Sequence, residues 1–524
     1  MSKFFTQIGI LIAVFALTLT SPALTFGQVV ADHDHHHCGY HPGPEEIERL
    51  ETNLRMAENL EFRRSGSTIY VPIKFHSINR LDGTGGVREP DIINQMCILN
   101  EAFGHYNIQF FLKDRSINYI NNNAAFNNAS LATAILSGAR DNRALNVFFA
   151  QNTTSGGGGG FTLGYYDIPN DWVVVRNDQV NSTFVLAHEI GHFFSLQHTF
   201  FGWEQEPWDE DIHGNPVTQV IAPGGFNQVE LVDGSNCTNA ADRICDTPPD
   251  YNFGFGWSAG GGCGPFNIEV YDRNEDLIEP MQNNYMGYFL NCPDYEFTPT
   301  QIDVMVADFM SSSRSHLREG FGTPSTGVID AGEIVALNPI NGEESDFHDE
   351  VTLVWEAAEN ATYYYLEVSE LPFFGLNMVV EKFVDGTSYT LTNLDELEFY
   401  YWRVRPLNDT YYCADRSPTF SFITSDVGVS VDEISESEFS MRLHQNPVPS
   451  GTDPSVIINN EYGVQDVRME VFSVDGKMLM SREKNIPMGP HQRIHLHTGV
   501  LDAGMYYIRM ASDKMQRVEP FIVH

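Results

Sequence analysis

Apolar residues follow no single period along this chain, and the changes of period divide it. A positive start at Lys3 precedes an apolar run from Ile8 to Thr20, and polar and small residues follow as SPALTFGQ. This is the pattern of an export signal over 1–27, with cleavage expected near Gly27–Gln28. The run is short for a membrane span, and no other stretch is apolar for long enough, so no transmembrane segment is expected in the mature chain. Residues 28–64 are polar, with a helical-looking core, PEEIERLETNLRMAENLEF, closed by Arg63–Arg64. They read as a pro-segment. From Ser67 the texture changes. STIYVPIKFHSI alternates like a strand, and REPDIINQMCILNEAFGHY places Ile92, Met96 and Leu99 at helical spacing. IQFFLKD, LNVFFAQ and DWVVVRND are further strands. Several strands with few helices predict an α+β domain over 65–322. The run Gly156 to Gly160 lacks the Gly-Lys-Ser/Thr ending of a phosphate loop and reads as a flexible connection.

After residue 322 the period becomes two. VTLVWEA, TYYYLEVS, TSYTLTNL, FYYWRVRPL and PTFSFITS predict a β-sandwich over 323–426, with Trp355 and Trp402 in its core. An acidic, serine-bearing linker (427–440) leads to a last β-like segment, 441–524. There DVRMEVFSVDGKMLMSREK reads as two strands around Asp475–Gly476, a hairpin signal.

A chain of 524 residues exceeds one hydrophobic core, which agrees with this division. Its 70 acidic against 30 basic residues give a net charge of −40. Such a surface repels nucleic acid and anionic membranes and suits solubility outside the cell. Export permits disulfides, and four of the seven cysteines fall between 237 and 292. Seven is odd, so at least one thiol is left over.

The candidate chemistry lies in AHEIGHFFSLQH, Ala187 to His198. His188 and His192, four residues apart, share one face of a helix, so both imidazoles can meet one zinc ion. Glu189 stands where its carboxylate can reach a metal-bound water. Asn181, Ser182 and Thr183 offer helix caps. The short motif alone is only moderately specific, but His198, six residues beyond His192, completes the longer pattern H-E-x-x-H-x-x-G-x-x-H. One residue departs from it: Ser195 stands where glycine is expected for a left-handed turn. Serine forced there costs about 1 kcal/mol, far less than metal binding returns.

HEIGHFFSLQHTF, CDTPPD, NNYMGY and FTPTQIDVM, in that order, with YVPIKFHSI and ILNEAF before them, resemble the pappalysin family of metzincin metallopeptidases over residues 67–318. The resemblance implies a zincin-like two-part catalytic domain. Met286 would be the Met-turn methionine, and Tyr288 would stabilise the oxyanion. It also implies a Cys263–Cys292 disulfide and calcium near Asp246–Thr247, the latter in competition with an ordinary turn. Cys38, in CGYHPGPEEIERL, resembles the cysteine of related pro-segments and would act as a cysteine switch. The competing expectation is a disulfide from Cys38 to Cys97 or Cys413. His33, His35, His36 and His37 read as a solvated tail against a metal-scavenging one. Residues 325–425 resemble a fibronectin type III domain, a spacer or protein-binding module. QNPVPSG, VFSVDGKML and LDAGMYYIRM resemble the C-terminal sorting domain of type IX secretion in Bacteroidetes-like Gram-negative bacteria, against the alternative of an ordinary attached β-domain. That resemblance implies the outer-membrane secretion machinery as a partner.

The expectation is therefore a secreted zinc endopeptidase acting on proteins or peptides. Two rivals stand beside it. One is a catalytically silent adhesin on the same scaffold, against which the intact Glu189 argues. The other is a metal hydrolase acting on a non-peptide amide.

Overall fold

The computed structural model describes residues 36–37, 42–58, 67–153, 161–255, 263–332, 334–428, 439–460, 466–474, 476–499, 501–512 and 516–524. The signal segment, Cys38, His33 and His35, the Arg63–Arg64 pair, Gly156–Gly160 and most of the acidic linker lie outside these residues. The chain divides into two compact units. One is built mainly from residues 198–295, and the other from 40–153, 164–197 and 296–524.

The second unit begins with helix α1 (Pro44–Ala57). A mixed sheet follows, of strands β1 (Ile69–Asn79), β2 (Ile108–Leu112), β3 (Asn118–Asn121), β4 (Leu145–Ala150), β5 (Gly164–Asp167) and β6 (Trp172–Arg176). The order is β2-β1-β4-β6-β5, with β3 continuing the β2 edge of β1. All pairings are parallel except β5 with β6, so β5 is an antiparallel edge strand. β4 is buried along its whole length, which explains why LNVFFAQ carries no clean alternation. Helix α2 (Glu89–Gly104) buries Ile92, Met96 and Leu99, the positions its spacing picked out. Helix α3 (Val185–Phe193) follows the sheet, and helix α4 (Pro299–Met310), capped by Thr298 and Gln301, closes this part.

The sandwich pairs a five-stranded and a three-stranded sheet over a core with Trp355 and Trp402, ring centroids 6.0 Å apart. It is bound to the α2–β2 region by Cys97–Cys413, so neither cysteine is available to Cys38 and that expected pairing is overturned. Leu112 N donates to Tyr412 Oη at 2.9 Å, Arg405 Nη1 to Asn94 Oδ1 at 2.7 Å, and Arg115 pairs with Asp409 at 3.0 Å. This region is fixed to its neighbour and is no free spacer.

The C-terminal segment contains β7 (Phe439–Leu443), β8 (Ser455–Asn460), β9 (Asp466–Ser473), β10 (Met478–Asn485), β11 (Gly489–His495), β12 (Gly504–Ala511) and β13 (Gln516–Val523). They form a three-stranded sheet, β7-β8-β11, and a four-stranded one, β10-β9-β12-β13. β9 and β10 are the antiparallel pair that the hairpin signal predicts.

The first unit is rich in loops. Its core stacks Trp203 on Tyr251 at 4.8 Å and is closed by the disulfides Cys237–Cys245 and Cys263–Cys292. The architecture is thus multidomain, with a mixed α/β part followed by β-sheet domains.

Candidate metal centre

The segment around helix α3 explains itself locally. Ser182 Oγ accepts from Phe184 N and Val185 N, each at 3.2 Å, and so caps the entry. Every residue of the helix is buried, as its run of Val185, Leu186, Ala187 and Ile190 requires. It ends after nine residues in a Schellman turn, with Leu196 N donating to Gly191 O at 3.0 Å and Ser195 N to His192 O at 2.9 Å. Ser195 occupies the left-handed position at φ 71°, where glycine is usual. Its hydroxyl accepts from Asn53 Nδ2 at 2.8 Å.

The turn sends the chain back past the helix. His188 Nε2 and His192 Nε2 stand 3.2 Å apart, with their rings nearly perpendicular. Two nitrogens bound tetrahedrally at 2.0–2.1 Å would be about 3.3 Å apart. His192 Nδ1 lies 2.8 Å from Leu196 O, so that nitrogen donates and Nε2 keeps its lone pair for a metal. One nitrogen from each of His188, His192 and His198 lies within 4.8 Å of the others. His198 Nδ1 lies 3.5 Å from Glu204 Oε1, and Phe200 stacks on the His198 ring at 4.6 Å. The donor set, three buried imidazoles of which His192 has its second nitrogen fixed by a carbonyl and His198 has its own beside a carboxylate, fits zinc.

Glu189 is buried beside β5. A Cβ added at Gly164 would stand 3.1 Å from its Cγ and Oε1, so the glycine leaves room for the carboxylate. In the first unit, Met286 is fully buried in a tight turn. Its N donates to Asn284 Oδ1 at 2.8 Å, and its O accepts from Thr199 N at 3.2 Å. Tyr288, two residues on, is largely buried, with its ring 5.0 Å from that of His198. Asp246 is exposed, and Thr247 Oγ1 donates to Ile244 O at 2.6 Å. Near that loop, Glu230, Asp242 and Asp250 are buried carboxyls. Burial, then the charges of Asp242 and Asp250, raises Glu230, and burial lifts Asp250 to about 6.

Sequence reasoning missed Glu204, Gly164 and Asn53. It also missed the cluster beneath the helix end. There Arg49 Nε donates to Asp308 Oδ1 at 2.7 Å and Arg49 Nη2 to Phe193 O at 3.1 Å, while Arg314 bonds Asp308, Asp171 and Phe193 O. Helix α1 is thereby tied to α3 and α4. The signal available was the polar pair Arg49 and Asn53, four residues apart on one face of α1, next to the buried Leu50.

No family model matches the chain. It is similar to an extracellular metalloprotease of Colletotrichum graminicola, at 24% identity over 288 residues, 50% of this chain and 86% of that protein. An extracellular metalloprotease of Neurospora crassa is 27% identical over 256 residues, 45% of this chain and 73% of that one. Among solved structures, a promirolysin variant of Tannerella forsythia aligns over 52% of this chain and 90% of that one, at 18% identity and a TM-score of 0.35.

Proposed function

We propose that the chain is a secreted zinc endopeptidase of the pappalysin-like metzincin type, with His188, His192 and His198 as metal ligands. The observation that carries this reading is the convergence of those three buried imidazoles next to the buried carboxylate of Glu189. The similarity to proteins named extracellular metalloproteases supports it. Among the described residues no helix is long and apolar enough to cross a membrane.

Zinc, when bound, brings the pKa of a coordinated water towards 7 and polarises the scissile carbonyl. Glu189 accepts the proton of the attacking water and returns it to the leaving amine. The Tyr288 hydroxyl steadies the oxyanion, and Met286 gives the centre an apolar floor. Glu204 and the Leu196 carbonyl hold the imidazoles of His198 and His192 in orientation. Glu189→Gln keeps zinc and abolishes cleavage of casein. A zinc-loaded variant with full activity contradicts the mechanism, and a zinc-loaded Cys38→Ala chain, still inactive after removal of the pro-segment, favours the silent adhesin. Cleavage of small amides with no peptide cleavage favours the non-peptide hydrolase.

The proposed division is a signal segment 1–27, a pro-segment 28–64, the peptidase domain 65–322, a fibronectin type III-like domain 323–426, a linker 427–440 and a type IX sorting domain 441–524. Cys38 would hold the zinc in the latent precursor, so Cys38→Ala gives activity before processing. Cleavage after Arg63 or Arg64 leaves α1 held by Arg49 and Asn53. Calcium near Asp246–Thr247 would relieve the raised pKa values of Glu230 and Asp250, and it predicts a higher unfolding temperature in calcium than in chelator.

A further inference from the structure

We propose that a basic cleft in the C-terminal domain binds a compact saccharide bearing phosphate or sulfate groups. The cleft lies where β10 and β11, the edge strands of the two sheets, meet, and has a volume of about 410 Å³. Arg482, Lys484, Arg493, His495 and His497 line it, and no carboxylate does.

Three observations make this more than a scatter of surface charge. Segment 441–524 carries nine basic and nine acidic residues, so it is neutral and the remaining chain holds the whole net charge of −40. A basic concavity thus lies in a neutral segment of a strongly acidic protein. Secondly, Arg482 and Lys484 pair in register with Met469 and Val467, both buried, so they share the core-facing side of β10 with Met480. Charged side chains on that side prolong the apolar face into the cleft. Thirdly, among the described residues neither Arg482 nor Lys484 has an ion-pair or hydrogen-bond partner, and Arg493 Nε donates only to Ser455 Oγ, at 3.1 Å. The nearby acids meet the cleft at its wall and not at these cations: Asp453 pairs with His497 at 3.0 Å, and Asp466 accepts from Asn485 at 3.0 Å.

The chemistry selects the ligand. Cations and an unneutralised arginine fork suit phosphate or sulfate oxygens. Met469 and Met480 add an apolar floor, and Asn485 and Gln492 add amide groups suited to hydroxyls. The acidic remainder of the chain repels a long polyanion or an anionic bilayer, whereas a compact ligand stays within the Debye length of the cleft. The competing explanation is that inward charges on an edge strand merely prevent sheet-to-sheet aggregation.

The test is calorimetric titration of the full chain, carrying Glu189→Gln to prevent self-cleavage, with a heparin-derived tetrasaccharide, with inorganic phosphate, and with phosphatidylcholine vesicles containing phosphatidylglycerol. The expected result is saturable, salt-sensitive binding of the tetrasaccharide, with weaker binding of phosphate and vesicles. Arg482→Gln with Lys484→Gln weakens it on the order of 10-fold. Arg493→Gln serves in its place should the double variant fail to fold. No saturable binding overturns the proposal, as does equal affinity in the variants or vesicle binding as strong as that of the tetrasaccharide. A double variant that self-associates but still binds the tetrasaccharide equally overturns it in favour of edge protection.

Discussion

Asn53 donates a hydrogen bond to the hydroxyl of Ser195, joining helix α1 to the turn that brings His198 back towards His188 and His192. The same Nδ2 donates to Asp308 Oδ1 at 2.9 Å. The serine that departs from the expected glycine is therefore partnered. Its left-handed backbone costs about 1 kcal/mol, and a buried hydrogen bond returns a similar amount. Ser195→Gly should leave the unfolding free energy within about 1 kcal/mol of wild type, because relief of strain offsets the lost bond. Ser195→Ala keeps the strain and loses the bond, so it should be the less stable of the two by denaturant titration. The reverse order would show that the left-handed backbone at this position carries no strain, and a Ser195→Ala chain as stable as wild type would show that the Asn53 contact contributes nothing.

Gly164→Ala should reduce turnover about 10-fold or more while zinc content stays unchanged. The added methyl crowds Glu189 Cγ and Oε1 at 3.1 Å and displaces the carboxylate. Steady-state kinetics with metal analysis of the same preparation decides it. Unchanged kcat would mean that Glu189 has room to spare or has no part in the chemistry.

The Cys97–Cys413 bond closes a span of 316 residues and ties the sandwich to α2. Its removal by Cys97→Ser with Cys413→Ser should cost about 2–4 kcal/mol. Truncation after residue 322 should cost more, since Leu112 N, Asn94 and Arg115 also lose partners. Thermal unfolding of the three proteins tests the order.

His76 is fully buried in β1, between Asn146 at 2.9 Å and Asn118 at 2.9 Å, and stacked on Phe148. Burial pushes its pKa down to about 4 from 6.5. A histidine held neutral by folding contributes fully above pH 6.5, and that contribution is lost as pH falls towards 4. Between pH 6.5 and 5 this amounts to about 2 kcal/mol. His76→Gln should be less stable at neutral pH, yet its stability should fall less steeply over this interval. Parallel slopes in urea titrations would assign the acid sensitivity to other groups.

How far the sequence carried depends on the range of the interaction. Period-two alternation located the sandwich strands and the β9–β10 hairpin, and helical spacing located α2, because those signals are local. The clustering of the three histidines was readable for the same reason: His188, His192 and His198 lie within one turn and one bend. Contacts between distant residues left no such mark. Arg49 meets Asp308 across 259 positions, and Arg405 meets Asn94 across 311. Neither pair has a spacing that sequence could reveal. Gly164 looked like any strand glycine until its distance to Glu189 was known. Cys38 was weighed against two cysteines that the fold had already joined to each other.

The most direct test of the metal centre is zinc analysis with X-ray absorption at the zinc edge on the Cys38→Ala chain and on the same chain with His198→Ala. The expected result is one zinc per chain with three nitrogen neighbours at about 2.0–2.1 Å and an oxygen, and loss of stoichiometric zinc in the His198→Ala chain. A Cys38→Ala chain without stoichiometric metal, or one whose zinc shell is unchanged by His198→Ala, would contradict it.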